Sequence, residues 1–232
     1  MSYVRLKHAL SAIALDSLRR PDAALVASAM AAYARTGTGG AVPVEALAHD
    51  AAALSPRGED PDAVRRALLE TGLFVEESGG IALAPAYRSH GAYFRRQATR
   101  LSDALRLVAQ PPAPGVPADV HRGAALFDAG LFFEAHEYWE DVWRASRPPE
   151  RTFYHGLVQA AAGCYHAEKG NAHGADVLLA KARAKLQAFA PRYLGVDVAA
   201  LLRSLEAVRA GAAPREAAAV PGIFRRPVRP AR

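Results

Sequence analysis

Leu131-Phe-Phe-Glu-Ala-His-Glu-Tyr-Trp-Glu-Asp-Val-Trp-Arg144 places both tryptophans of the chain in fewer than four helical turns, together with three glutamates, an aspartate and a histidine. At about 100° per residue, His136, Glu140, Trp143 and Arg144 fall on one side of a helix, flanked by Phe132, Phe133 and Trp139. Glu134 and Asp141 then point away, and Glu137 sits at the margin. Burying a charge without a partner is costly. Ionisable groups set among large aromatics therefore mark either a site or a polar network that satisfies itself.

Outward from this stretch, the second half of the chain repeats with a period of 40 residues. Gly123 matches Gly163, Gly130 matches Gly170, Ala135 matches Ala175, and Trp139 matches Leu179. Each copy reads as helix, glycine turn, helix: Ala118–Ala129 with Leu131–Ala145, then Arg151–Lys169 with Ala172–Phe189. A further helix, Asp197–Ala210, closes an all-helical bundle over 118–210. Small residues at matched positions let helix backbones approach closely.

The pattern Gly123-x-x-Leu-Phe-x-x-Gly130-x-Phe-Phe-Glu-Ala-His-Glu-x-Trp-Glu140-x-x-Trp-Arg, followed by Gly156-Leu-Val-Gln159-x-Ala-Ala-x-x-Tyr-His166-x-x-x-Gly-Asn171-x-x-Gly-Ala175, resembles the family known as domain of unknown function 309. The likeness covers roughly residues 118–190. It implies a compact helical domain and carries over no catalytic role, so the chemistry has to be read from the residues.

Before the bundle, Gln110-Pro-Pro-Ala-Pro-Gly-Val-Pro117 holds four prolines in eight residues and reads as a semi-rigid linker at 111–117. Residues 1–110 form the other domain. Helices are expected at Asp22–Arg35, Val44–Leu54 and Asp62–Thr71, with Pro21 and Pro61 suited to helix starts and a loop or short strand at Gly37–Val42. Leu73–Glu77, Ser78-Gly-Gly and Ile81–Ala84 give a strand–turn–strand signal. This order resembles a winged helix over residues 20–86, with Asp62–Thr71 in the recognition position and the wing tip at Ser78–Gly80. Arg65 and Arg66 would be its DNA contacts. Glu76 and Glu77 sit beside the wing tip and repel phosphate, so weak or no DNA binding is expected. A helix is expected over Tyr87–Leu107.

Composition supports a mainly α protein. Apolar residues make up 51% of the 232, charged residues 22%, and alanine is abundant. The net charge of +6 does not sit on the bundle: residues 1–110 carry 13 Lys/Arg against 11 Asp/Glu, and the last 21 residues carry five arginines against one glutamate. Residues 211–232 therefore read as a solvated basic Pro/Arg tail. The longest apolar run, Ala23–Ala34, is too short to span a bilayer. Asp16 interrupts the apolar patch of the first 20 residues and no small-residue cleavage site follows. Cys164 stands alone, which excludes an internal disulfide framework and a cysteine zinc site. These features lead to the expectation of a cytoplasmic protein with no membrane segment.

On the helix Arg151–Lys169, spacings of four, three and four align His155, Gln159, Ala162 and His166 on one face. If this face meets the signature helix, a pocket lined by His136, Glu137, Trp139, Glu140, Trp143, His155, Gln159 and His166 results. His136, Glu140 and His166 would then be metal ligands suited to zinc, manganese or iron. The same groups also suit acid–base work, a histidine oriented by a glutamate, or a network that holds the helices in register. The zinc-protease spacing is absent, since Glu140 stands where the second histidine would be. Cys164 falls on the opposite side of its helix from His166 and reads as a small core residue. Three functions follow from these readings: a regulator or adaptor whose bundle binds a metal or small ligand through the His/Glu cluster, with a small ligand or protein as partner; a metal-assisted hydrolase or other enzyme with its active site in the bundle; or a purely structural or protein-interaction helical module.

Overall fold

The computed structural model describes residues 2–20, 23–36, 40–53, 55 and 59–224. The protein is mainly α, with two small antiparallel hairpins. It divides into two compact units, Met1–Arg106 and Leu107–Arg232.

The first unit contains α1 (Ser2–Arg19), α2 (Ala24–Thr36), α3 (Val44–Ala52), α4 (Pro61–Glu70), the hairpin β1 (Phe74–Glu77) and β2 (Gly80–Leu83), and α5 (Gly91–Val108), whose end passes into the second unit. The sequence reading did not anticipate α1, although Leu6, Leu10, Ala14 and Leu18 recur every four residues and are all buried. Asp60 starts α4 by accepting from the N–H groups of Asp62 (3.0 Å) and Ala63 (3.2 Å), with Pro61 in the first turn. Tyr33, Phe74 and Phe94 meet edge to face at 5.1–5.9 Å in the core. Tyr33 also donates to the Gly40 carbonyl and accepts from Leu83 N–H, which ties α2 to the hairpin.

Phe74 pairs with Leu83 and Glu77 with Gly80 in this hairpin. Val42 adds a third strand position, exchanging backbone hydrogen bonds with Ile81 at 2.8 and 2.9 Å. That close approach requires Gly80: a Cβ there would lie 2.0 Å from the Val42 carbonyl, and its φ is +135°. After α1, the described elements of this unit run helix, single bridge residue, two helices and hairpin. Pro21, Asp22, Leu54 and the Gly37–Gly39 part of the expected loop lie outside the described residues. The helix expected from Tyr87 begins at Gly91, after a 3-10 segment at Pro85–His90.

The second unit consists of α6 (Ala118–Asp128), α7 (Phe132–Ala145), α8 (Glu150–Glu168), α9 (Ala172–Leu186), a 3-10 turn at Gln187–Phe189, β3 (Arg192–Tyr193), β4 (Val196–Asp197), α10 (Val198–Arg209) and α11 (Pro214–Ala217). It is not wholly helical, because β3 and β4 form a two-residue hairpin before α10. Residues 110–117 contain no helix or strand, yet Val116 is buried against Gly195.

The 40-residue repeat is a structural repeat. Gly130 (φ +80°) ends the first copy's leading helix and Gly170 (φ +73°) ends the second's. Leu131 N–H then reaches back to the Leu126 carbonyl, and Asn171 N–H to that of His166. The glycine on each leading helix makes room for the bulky partner on the following one. A Cβ on Gly123 would meet the Trp139 indole at 2.0 Å, and one on Gly163 would meet Leu179 at 2.7 Å.

The expected solvated tail is corrected in its first part. Ala218, Val220 and Ile223 are buried, Val220 N–H donates to Asp128 at 2.7 Å, and Asp197 N–H donates to the Pro221 carbonyl at 2.8 Å. The apolar side chains between the arginines explain why this stretch packs. Arg225, Arg226, Arg229 and Arg232 lie outside the described residues.

Candidate functional site

Glycine-lined helix packing sets the rotation of α7. Because Trp139 fits against Gly123 with its indole N–H donating to the Asp119 carbonyl (3.3 Å), the adjoining flank of α7 is left less buried. That flank carries His136, Glu137 and Glu140, all half-buried. One potential ligand atom from each lies within 4.8 Å of the others, and among the described residues this is the group of three or more His, Cys, Asp or Glu side chains so placed. His136 Nδ1 lies 3.0 Å from Glu137 Oε1. Glu140 pairs with Arg144 at 2.9 Å, and the Arg144 side chain is 62% exposed, so this is a solvent-screened ion pair.

Next to the group, Trp143 stacks on His155 of α8, with ring centroids 4.6 Å apart and 29° between planes. Arg151 lies over the same indole at 5.0 Å, and its Nη1 donates to the carbonyls of Trp143, Arg144 and Ser146, closing the end of α7. Burial holds His155 below the usual histidine range, and the nearby Lys185 and Arg151 cations push the same way. A second ring contact, Phe133 with Tyr165 at 5.5 Å, lies farther along the same two helices. Gln159 stands on α8 between these contacts, and its side-chain oxygen is buried without a hydrogen-bond partner. Leaving such an oxygen unpaired costs about 1–3 kcal/mol.

Not every expected pocket residue joins the group. Trp139 is fully buried and turned into α6, where the missing Cβ of Gly123 makes room for its indole. His166 stands apart: its Nδ1 is 2.8 Å from the Asn171 amide nitrogen, beside the start of α9, where Asn171 also caps Gly174 N–H. Glu137 takes the third place in the group instead. Cys164 is buried, and burial pushes its thiol well above the ordinary range, which suits a core residue and not a nucleophile.

Glu134, which the helical wheel turned outward, is only 2% exposed. It shares the inward stripe of Leu131, Ala135 and Tyr138, a stripe hidden when the wheel is centred on His136. Asp119 was also missed. It accepts from Tyr138 Oη at 2.9 Å, and burial together with this bond pushes the Tyr138 phenol up to about 12. In the first unit, Arg65 is paired with Glu76 at 3.4 Å, leaving Arg66 as the exposed cation of α4 not tied to the hairpin's acids.

The chain is similar to the uncharacterized protein YpuF of Bacillus subtilis (strain 168), 36% identical over 80 residues, which is 33% of this chain. It spans about half the length of that curated relative, 46%. No solved structure matches the chain, and no helix among the described residues is long and apolar enough to cross a membrane. Residues 120–178, which run from α6 into α9 and hold the whole His136–Glu137–Glu140 group, match the family model described as domain of unknown function (DUF309), the family the signature resembles.

Proposed function

We propose that the second unit is a binding module for a divalent metal ion held by His136, Glu137 and Glu140, in a protein that acts as a regulator or adaptor. The observation that carries this reading is the convergence of one imidazole and two carboxylates within 4.8 Å on adjacent turns of one helix. A side-chain adjustment of roughly an ångström would bring all three to the ~2.0–2.2 Å at which zinc, manganese or iron is bound. Three protein ligands leave coordination positions open, and the Trp143–His155 stack forms a wall beside them where a small ligand or a partner side chain can dock. The two-unit layout supports a sensing role. The first unit, read as a winged helix, contacts a protein partner or binds DNA only weakly, since Arg65 already serves Glu76.

Elemental analysis of the freshly purified full chain, followed by titration with zinc, manganese and ferrous ions, tests the reading. One ion per chain is expected, lost in His136→Gln while the metal-free melting temperature stays close to that of the wild type. A wild type that takes up none of the three ions at stoichiometric levels sinks it.

A further inference from the structure

Resting on the metal reading above, we propose that Gln159 supplies a fourth donor, its side-chain carbonyl oxygen, to the ion held by His136, Glu137 and Glu140. Three observations meet at this residue. Its oxygen is buried and has no hydrogen-bond partner, although a buried amide oxygen ordinarily finds one. Consecutive helices α7 and α8 are bracketed by two cross-helix contacts, Trp143 on His155 and Phe133 on Tyr165, which set the two helices antiparallel in register. Gln159 lies four residues inside the first contact on α8, about 6 Å along the axis. Glu140 lies three residues inside it on α7, about 4.5 Å along the axis, and His136 follows one turn later. The amide therefore lies at the level of Glu140, about one turn or less from Glu137 and His136 along the axis, and on the neighbouring helix, where a second helix must contribute if the ion is to be enclosed.

The chemistry of the completed set is distinctive. One imidazole and three oxygens, one of them a neutral carbonyl, form a predominantly hard donor set. Carboxylate, carbonyl and water ligands suit manganese(II), whereas structural zinc favours thiolate and imidazole in four-coordinate sites. The assignment also explains why a polar side chain occupies this α8 position at all: an apolar residue would avoid the cost of an unpaired oxygen but would leave the ion open on that side.

Manganese(II) alone, titrated into the metal-free full chain and followed by the electron paramagnetic resonance signal of the free ion, is the test. The wild type is expected to bind one manganese per chain. Gln159→Leu should weaken that binding at least tenfold while the metal-free melting temperature holds or rises. Gln159→Glu, which keeps an oxygen in place, should bind at least as tightly as the wild type. If the wild type binds no manganese, this assignment falls, and if it takes up no zinc or ferrous ion either, the metal reading falls too. If the wild type binds and Gln159→Leu binds equally well, Gln159 is not a ligand and the three-residue site stands. Should Gln159→Leu fail to fold, weaker binding by Gln159→Glu overturns the proposal on its own.

Discussion

The two helical hairpins of the second unit, α6–α7 and α8–α9, share a frame and differ in what they display. Both end their leading helix at a glycine of positive φ, and both set a glycine against the bulky residue 16 positions later, Gly123 under Trp139 and Gly163 under Leu179. The positions that match His136, Glu137, Glu140 and Trp143 in the second hairpin are Asp176, Val177, Ala180 and Arg183. Asp176 is spent on Arg209 of α10 at 2.7 Å, and Arg183 lies 3.6 Å from Glu206. The frame thus repeats while the potential ligands belong to one copy. Scaffold and site are separable, and substitutions can break either one alone.

The largest expected effect is on the frame. Trp139→Ala empties the fully buried Gly123 notch and should cost about 3–5 kcal/mol, against about 2–5 for Leu179→Ala in the matching place, read by chemical denaturation. Filling the notches comes next: Gly123→Ala and Gly163→Ala should each cost about 1–3 kcal/mol by overpacking. Gly123→Ala should be the worse, because a rigid indole at 2.0 Å cannot yield as a leucine at 2.7 Å can. Equal costs, or a milder Gly123→Ala, would deny the asymmetry between the copies. Trp143→Ala belongs to the display side. It loses a stack on His155 at a half-exposed position, so about 1–2 kcal/mol is expected, well below Trp139→Ala. A Trp143 variant as unstable as the Trp139 variant would erase the distinction between frame and display.

Acid should sharpen the comparison further. His121 is buried with its Nε2 unpartnered and packs on Phe224 at 5.0 Å. Burial and then the Arg122 cation lower its pKa from the usual 6.5, although the Gln110 backbone opposes this. His155 is lowered as well, by burial, Lys185 and Arg151. The folded protein therefore holds protons on these rings more weakly than the unfolded chain. Stability is complete above about pH 6.5 and falls as the pH drops below it toward the folded values. The melting temperature is expected to decline between pH 7.5 and 5, with a shallower decline in His121→Gln. A His121→Gln variant that loses stability as steeply as the wild type contradicts the assignment. The smallest effect lies in the first unit: Glu76→Gln releases the exposed Arg65 pair and should shift stability by about 0–1 kcal/mol. It should also raise salt-sensitive binding of a short duplex by the full chain; no change would mean that the pair does not mask Arg65.

Much of the frame was legible because it is local. Glycines 40 residues apart, helices of 11–19 residues and a cap such as Asp60 announce themselves through spacing. Long-range choices were not legible. The rotation of α7 depends on which neighbour receives Trp139, and a wheel drawn from His136 alone placed Trp139 with the polar group and Glu134 in solvent. The register between α7 and α8 is likewise tertiary, so His166 read as a ligand on spacing alone, although its turn ends against Asn171. The two-residue strands β3 and β4 are too short to produce an alternation.

The contact between Val220 and Asp128 spans 92 positions in the chain. Stacked hairpins ordinarily behave as open arrays that fray inward from either end, each repeat held only by its neighbours. Here the segment after α11 returns to the end of α6 and, through Pro221, to β4, so both ends of the array are fastened to each other. An array fastened in this way has no free end from which to peel. Amide hydrogens in α6 and α10 should therefore exchange through the same global opening as those in α8, and a chain cut after Ala217 should regain the stepwise, end-first opening of a linear stack.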